Sequence, residues 1–273
     1  MRESFLFQKL PTNSKRIQDF LRSTSNPAKV GILTDFDGTL AEMVLDPLDA
    51  RPLEGAVEVL HRLSLDFGVV AVISGRPASF LVNKLGIGKV SSKLQVFGLY
   101  GMESANLDGT ITSLPSAEKY RSQVIEMTKL AHEQAPNGVI VEPKGLSLAL
   151  HWRTSPQQQP WVEAFVSEMA SKYSFRPYPG RMSKELKPPL ETDKGSTAKQ
   201  VLQGLDSACF IGDDLGDVPA FEALKSIYED KSLCSYLNVG VRNSEIPSSM
   251  LDICDFILEG PQEVVSFLDS FLD

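Results

Sequence analysis

Three cysteines, three histidines and no long apolar run set the first bounds on this 273-residue chain. Cys209, Cys234 and Cys254 are too few for a disulfide framework. They lie in or near apolar segments, so they read as small core residues of a protein kept in a reducing compartment. His61, His132 and His151 are scattered, which leaves no histidine metal site. Nothing is apolar for the length that a bilayer crossing needs, and Phe5-Leu6-Phe7 turns polar too soon for a secretory h-region. The expectation is a cytoplasmic protein with no membrane partner. Positive charge is also scarce, 27 Lys and Arg against 35 Asp and Glu, for a formal net charge of -8. That argues against sequence-independent binding of nucleic acid. Aromatics are only 8% and lack the basic interleaving that single strands require. Gly86-Ile87-Gly88-Lys89 wants the third glycine of a dinucleotide loop, and Asn83 stands where a P-loop has its first glycine. There is no Gly-x-Ser-x-Gly element, no internal repeat and no low-complexity tract.

What the chain does have is a composition of ordinary globular kind, 42% hydrophobic and 23% charged, with material for one large domain or two modest ones. Val30 to Thr34 is an apolar run that reads as a buried strand and stops at Asp35-Phe36-Asp37-Gly38-Thr39. In an open parallel sheet, ligands bind beyond the carboxyl ends of strands, so these acids face the expected site. Asp35 and Asp37 are two apart, and an extended backbone puts them on one side. Carboxylates held that close repel unless a cation intervenes. The pair suggests a carboxylate nucleophile beside a carboxyl acid/base, with a hard metal to hold the charge.

Residues 1–28 read as a peripheral leader, weakly amphipathic around Ile17, Phe20 and Leu21. Pro52 suits a first helical turn, followed by a stripe at Val57, Leu60, Leu63 and Leu65. Further strands are expected at Val69 to Ile73, Gln95 to Tyr100, Cys209 to Gly212, Leu237 to Val241 and Phe256 to Leu258. Long crossovers between them mean parallel pairing. Between 107 and 187 the alternation breaks: hairpin-like Asp108-Gly109, a helix near Tyr120 to His132, a strand pair within Val139 to Arg153, a helix with Trp161, Phe165 and Met169, a turn at Tyr178 to Arg181, and a strand near Met182 to Lys187. The fold class expected is therefore α/β, a doubly wound, mainly parallel Rossmann-like core of residues 1–106 and 188–273. An inserted α+β domain would occupy 107–187.

Other strand ends carry groups suited to phosphate. Ser74 offers a hydroxyl, Gly75 lets backbone amides approach an anion, and Arg76 offers a fork of donors. Lys194 precedes a glycine at a helix start. Asp213, Asp214 and Asp217 crowd three acids behind Phe210-Ile211-Gly212.

In this order and spacing, Asp35-Phe36-Asp37-Gly38-Thr39, Ser74, Lys194 and Gly212-Asp213-Asp214 with Asp217 strongly resemble the haloacid dehalogenase (HAD) superfamily of aspartyl-phosphate phosphatases. Ile73 to Pro77, Gly98 to Glu103, Lys144 to Arg153, Glu185 to Pro189, Asp193-Lys194-Gly195 and Pro219-Ala220-Phe221 are similar to segments of trehalose-6-phosphate phosphatases. The likeness covers most of residues 30 to 225, the inserted cap included. Two departures stand out. That family usually has His and Ala where Tyr100 and Met102 stand, and Thr-Asp-Glu where Gly216-Asp217-Val218 stands, which removes a carboxylate near the metal loop.

The resemblance implies a phosphatase that hydrolyses trehalose 6-phosphate, with Asp35 as nucleophile and Asp37 as acid/base. It implies Mg2+ held by Asp35, the Asp37 carbonyl and Asp213, with Asp214 and Asp217 further out. Ser74, Gly75, Arg76 and Lys194 would bind phosphate. Glu103, Lys144, Arg181 and Glu185 are candidates for the sugar, and His151 and Arg153 for cap structure. The partner expected is a small sugar phosphate, the protein itself a monomer or at most a weak oligomer. Rival readings are another capped sugar-phosphate phosphatase, a phosphomutase, and a silent sugar-phosphate sensor.

Overall fold

The apolar runs Val30–Thr34, Val69–Ile73, Ser207–Gly212 and Ser235–Val241 form neighbouring parallel strands, buried along almost their whole length. They belong to a computed structural model that describes residues 14–44, 46–180, 182–243, 250 and 252–272. The chain runs α1 (Lys15–Ser23), β1 (Val30–Thr34), α2 (Ala56–Asp66), β2 (Val69–Ile73), α3 (Ala78–Leu85), β3 (Gln95–Gly98), β4 (Glu103–Ala105) and β5 (Ile111–Ser113). Next come α4 (Pro115–Glu118), α5 (Arg121–Gln134), β6 (Ile140–Pro143), β7 (Leu148–His151), α6 (Gln159–Tyr173), β8 (Arg176–Gly180) and β9 (Ser183–Lys187). Last are α7 (Lys194–Val201), β10 (Ser207–Gly212), α8 (Val218–Glu229), β11 (Ser235–Val241), β12 (Phe256–Leu258) and α9 (Pro261–Asp269).

The larger sheet has the order β12-β11-β10-β1-β2-β3-β4-β5. It is parallel from β12 to β3, and β4 pairs antiparallel with β3. Chain order runs one way from β1 and the other way from β10, so the crevice for a ligand opens at the carboxyl ends of these two strands. Successive β1 residues serve opposite faces. Ile32 packs with Leu60, Leu63, Val264 and Phe267, whereas Leu33 packs with Ala198, Phe210, Phe221 and Leu224. Helices cover both faces, which is why these strands are apolar throughout rather than alternating.

The chain divides into two compact units, Met1–Thr112 with Thr192–Asp273, and Ser113–Glu191. The smaller unit has an antiparallel sheet of order β6-β7-β9-β8. Leu148, Leu150 and Leu186 on one sheet face pack with Val124 and Met127 of α5 and Val162 and Phe165 of α6.

Four expectations need correcting. The smaller unit starts at 113 rather than 107, because the turn Asn106–Thr110 links β4 to β5 and both extend the larger sheet; it ends at 191 rather than 187. The leader is no peripheral strip where it is described. Ile17 and Phe20 of α1 are fully buried with the core, Phe20 meets Phe271 edge-on, and Arg16 pairs with Asp255 at 2.9 Å. The segment read as a turn at 178–181 holds strand β8, whose Pro177 and Pro179 sit on a sheet edge where a missing amide is tolerated. The stripe of α2 is Val59, Leu60 and Leu63, with Leu65 exposed, and the helix starts four residues after Pro52.

Candidate active site

Asp35 follows the last residue of β1, and its amide still donates to Ile211 O of β10 at 2.9 Å. The chain then turns through Gly38, whose φ of +71° favours glycine and whose missing side chain leaves room for the Asp213 carboxylate. Asp213 extends from β10. Its Oδ2 accepts from Asn243 Nδ2 at 2.7 Å, and its Oδ1 from Thr39 Oγ1 at 3.4 Å.

Lys194 is the first residue of α7, and a capping box fixes where that helix begins. Asp193 accepts from Ser196 N at 2.6 Å, and Ser196 Oγ accepts from Asp193 N at 3.0 Å. Gly195 lies against Pro219 with no room for a side chain, which brings α7 close to α8. From this position Lys194 Nζ reaches Asp35 Oδ1 at 2.8 Å and Asp217 Oδ1 at 2.6 Å. The other oxygen of Asp217 accepts from the amides of Asp213 at 2.9 Å and Asp214 at 3.1 Å. Asp217 thus braces the acid loop and the lysine together.

Carboxylate oxygens of Asp35, Asp213 and Asp217 lie within 4.8 Å of one another, and all three residues are buried. Burial raises the Asp35 carboxyl well above the usual range; Lys194 pulls it down, and Asp217, Asp214 and Asp37 push it up. Asp213 is raised by burial and then by Asp35, Asp217 and Asp214. Burial also raises Asp217, to about 6, against the pull of Lys194. Lys194 itself is held well above its ordinary value: burial works against the ammonium, but Asp217, Asp35 and Asp214 outweigh it. Three buried carboxyls crowd around one ammonium, and negative charge is in excess. All-oxygen donors with such an excess fit a hard divalent cation.

Asp37 is held by a different cation. Arg76 holds its carboxylate with two hydrogen bonds, Nε to Oδ2 at 2.7 Å and Nη2 to Oδ1 at 2.6 Å, and donates a third to Pro47 O at 2.7 Å. Ser74, just past β2, is 1% exposed, and its Oγ accepts from Arg76 N at 3.2 Å. Asp214 is exposed, and its Oδ1 accepts from Gly216 N at 2.8 Å.

Of the residues expected to meet a sugar, Glu103 accepts from Ala78 N at 2.8 Å and so serves the first turn of α3. In the smaller unit, Glu185 accepts from Ser147 Oγ at 2.6 Å and from Lys144 Nζ at 3.4 Å. Lys144 also lies 4.0 Å from Glu142, which bonds His151 Nε2 at 2.7 Å. Glu142 was not singled out from sequence; it lies on β6, two residues before Lys144, which follows the strand. Asn243 was missed as well; reading the end of β11 as a strand end like the others points to it. Arg181 lies outside the described residues.

The family description that matches the chain is "Trehalose-phosphatase", over residues 33–249. The trehalose-phosphate phosphatase of Mycobacterium leprae (strain TN) is 32% identical over 209 residues, 71% of this chain and 47% of that protein. The protein of the same name from Mycolicibacterium paratuberculosis (strain ATCC BAA-968 / K-10) is 30% identical over 204 residues, 71% of this chain and 51% of that one. The chain thus spans about half the length of the curated relatives it matches. The solved C-terminal domain of the C. albicans trehalose-6-phosphate phosphatase superposes with a TM-score of 0.74 at 21% identity, covering 94% of this chain and 96% of that one. That likeness is one of fold.

Proposed function

The chain belongs to the trehalose-phosphatase family, and we propose that it hydrolyses trehalose 6-phosphate to trehalose and inorganic phosphate through an aspartyl-phosphate on Asp35. The observation that carries this reading is Lys194, bonded at once to Asp35 and Asp217 beside Asp213.

In the first step an Asp35 carboxylate oxygen attacks phosphorus, the bond from phosphorus to the sugar oxygen breaks, and Asp37 gives that oxygen its proton. In the second step Asp37 takes a proton from water, whose oxygen attacks phosphorus. The bond to Asp35 breaks, which restores the carboxylate and frees inorganic phosphate. Lys194 and Ser74 hold phosphoryl oxygens that are not transferred, and the ammonium restrains Asp35 in a line toward phosphorus. Asp217 positions Lys194, and Arg76 sets the carboxyl plane of Asp37. Mg2+ would be held by Asp35, Asp213 and the Asp37 carbonyl, and when bound it neutralises charge on the phosphoryl oxygens. Asp214 and Asp217 would lie further out. We assign the sugar hydroxyls to Lys144 and Glu185, whose paired charges suit a polyhydroxylated ligand. Arg181 is the further sugar candidate, and Glu103 takes the helix-capping role.

The test is phosphate release from trehalose 6-phosphate compared with glucose 6-phosphate and sucrose 6-phosphate. Preference for the first supports the proposal; equal turnover of either other ester removes the substrate assignment and keeps the reaction. Asp35→Asn should abolish turnover and retain ligand binding.

A further inference from the structure

Leu99, Tyr100 and Gly101 have φ values of +50°, +58° and +90°, so three consecutive residues lie in the left-handed region and two of them are not glycine. Such backbone persists only where its surroundings over-determine it, and it is a reason to ask what it holds in place. Here the surroundings are the two loops of the candidate active site. Leu99 N donates to Arg76 O at 2.9 Å and Tyr100 N to Ser74 O at 3.0 Å. On the other side, Thr197 of α7, three residues beyond Lys194, donates to Tyr100 O at 3.3 Å, and its side chain fills the space beside Gly101. The bend is fastened to both elements that carry phosphate donors.

The outcome of the bend is the position of the phenol. It lies directly on Gly75: a methyl group added there would come within 2.6 Å of the Tyr100 hydroxyl oxygen and 2.7 Å of Cζ. A hydroxyl therefore stands against Gly75, in the middle of the Ser74–Arg76 loop, on a half-buried side chain. At neutral pH a phenol is an uncharged O–H donor, and a phosphate oxygen is a charged acceptor, which makes the stronger class of hydrogen bond.

We propose that Tyr100 contacts phosphate, its phenol O–H donating to the phosphomonoester held at Ser74 and Lys194. The inference rests on the phosphatase reading above and adds a donor to it. The experiment compares wild type with Tyr100→Phe, which removes one oxygen and leaves the ring and the bend. Inorganic phosphate is titrated calorimetrically in the presence of Mg2+, and trehalose 6-phosphate kinetics are measured alongside. Loss of a hydrogen bond to a charged group corresponds to a roughly 10- to 100-fold weaker phosphate affinity. A parallel rise in KM is expected, with kcat changed less than about threefold. Phosphate affinity equal to wild type overturns the proposal, as does a lowered melting temperature with unchanged phosphate affinity. Should wild type release phosphate from no monoester, the phosphatase reading fails, while the calorimetric comparison still decides whether Tyr100 touches phosphate.

Discussion

Arg76 embraces both carboxylate oxygens of Asp37, at 2.7 and 2.6 Å, while its guanidinium lies 4.8 Å from the Phe80 ring centre. Phe80 in turn meets Phe36 edge-on. The acid/base of the proposed reaction is thus set by a residue 39 positions away in sequence.

Removing that grip should hurt most where the leaving group needs a proton. For Arg76→Ala we expect kcat/KM for trehalose 6-phosphate to fall roughly 100-fold, in the range of lost general acid catalysis. p-Nitrophenyl phosphate, whose leaving group departs without help, should lose less than about tenfold, and Arg76→Lys should recover part of the difference. Equal losses on both substrates would refute the assignment.

Asp217 offers a pH test in metal-free protein. Its carboxyl is pushed up to about 6, above the value it has when unfolded. The folded protein therefore holds more protons between about pH 4 and about pH 6, so this contribution to stability is complete below that window and is lost as pH rises through about 6. Urea unfolding should show stability falling across the window in wild type more than in Asp217→Asn, whose amide does not titrate. Added Mg2+ should restore stability above the window.

Gly38 has no tolerant substitute. Gly38→Ala places a Cβ on the Asp213 carboxylate and puts an L-residue at φ +71°, at a backbone cost of roughly 1–2 kcal/mol. We expect a lower melting temperature, weaker Mg2+ binding by calorimetry and at least about a 100-fold loss of turnover, since misplacement of about 1 Å carries that penalty.

Lys144 lies between Glu142 and Glu185, so Lys144→Met removes the ammonium within 4.0 Å of both carboxylates. If these groups read the sugar, KM for trehalose 6-phosphate should rise at least about tenfold, one hydrogen bond to a charged group being worth that much. p-Nitrophenyl phosphate, which has no sugar, should be turned over as before. A matching loss on both substrates would point to damage to the smaller unit alone.

The strand-end acids were legible in sequence because two local signals coincide there, an apolar run for a buried strand and a sudden cluster of charge. The doubly wound core and the broken alternation of the inserted region followed from the same patterning. Partners across the fold were not legible. Nothing local to Arg76 shows that it turns toward Asp37 and Pro47, and nothing local to Glu103 shows that it caps α3. Strand β8 was hidden because its prolines signal a turn, a rule that an edge position overrides. The boundary at 107 failed for a related reason: the turn signal of Asp108-Gly109 was read correctly, but only pairing with β4 shows which sheet gains the strand.

Those same prolines bear on how copies of the protein behave at high concentration. Pro177 and Pro179 occupy alternate positions of β8, so at both the outward flank of the smaller sheet lacks the N–H that an incoming strand would need. Self-association by backbone pairing is therefore blocked along that flank, and copies meeting there must rely on side chains alone.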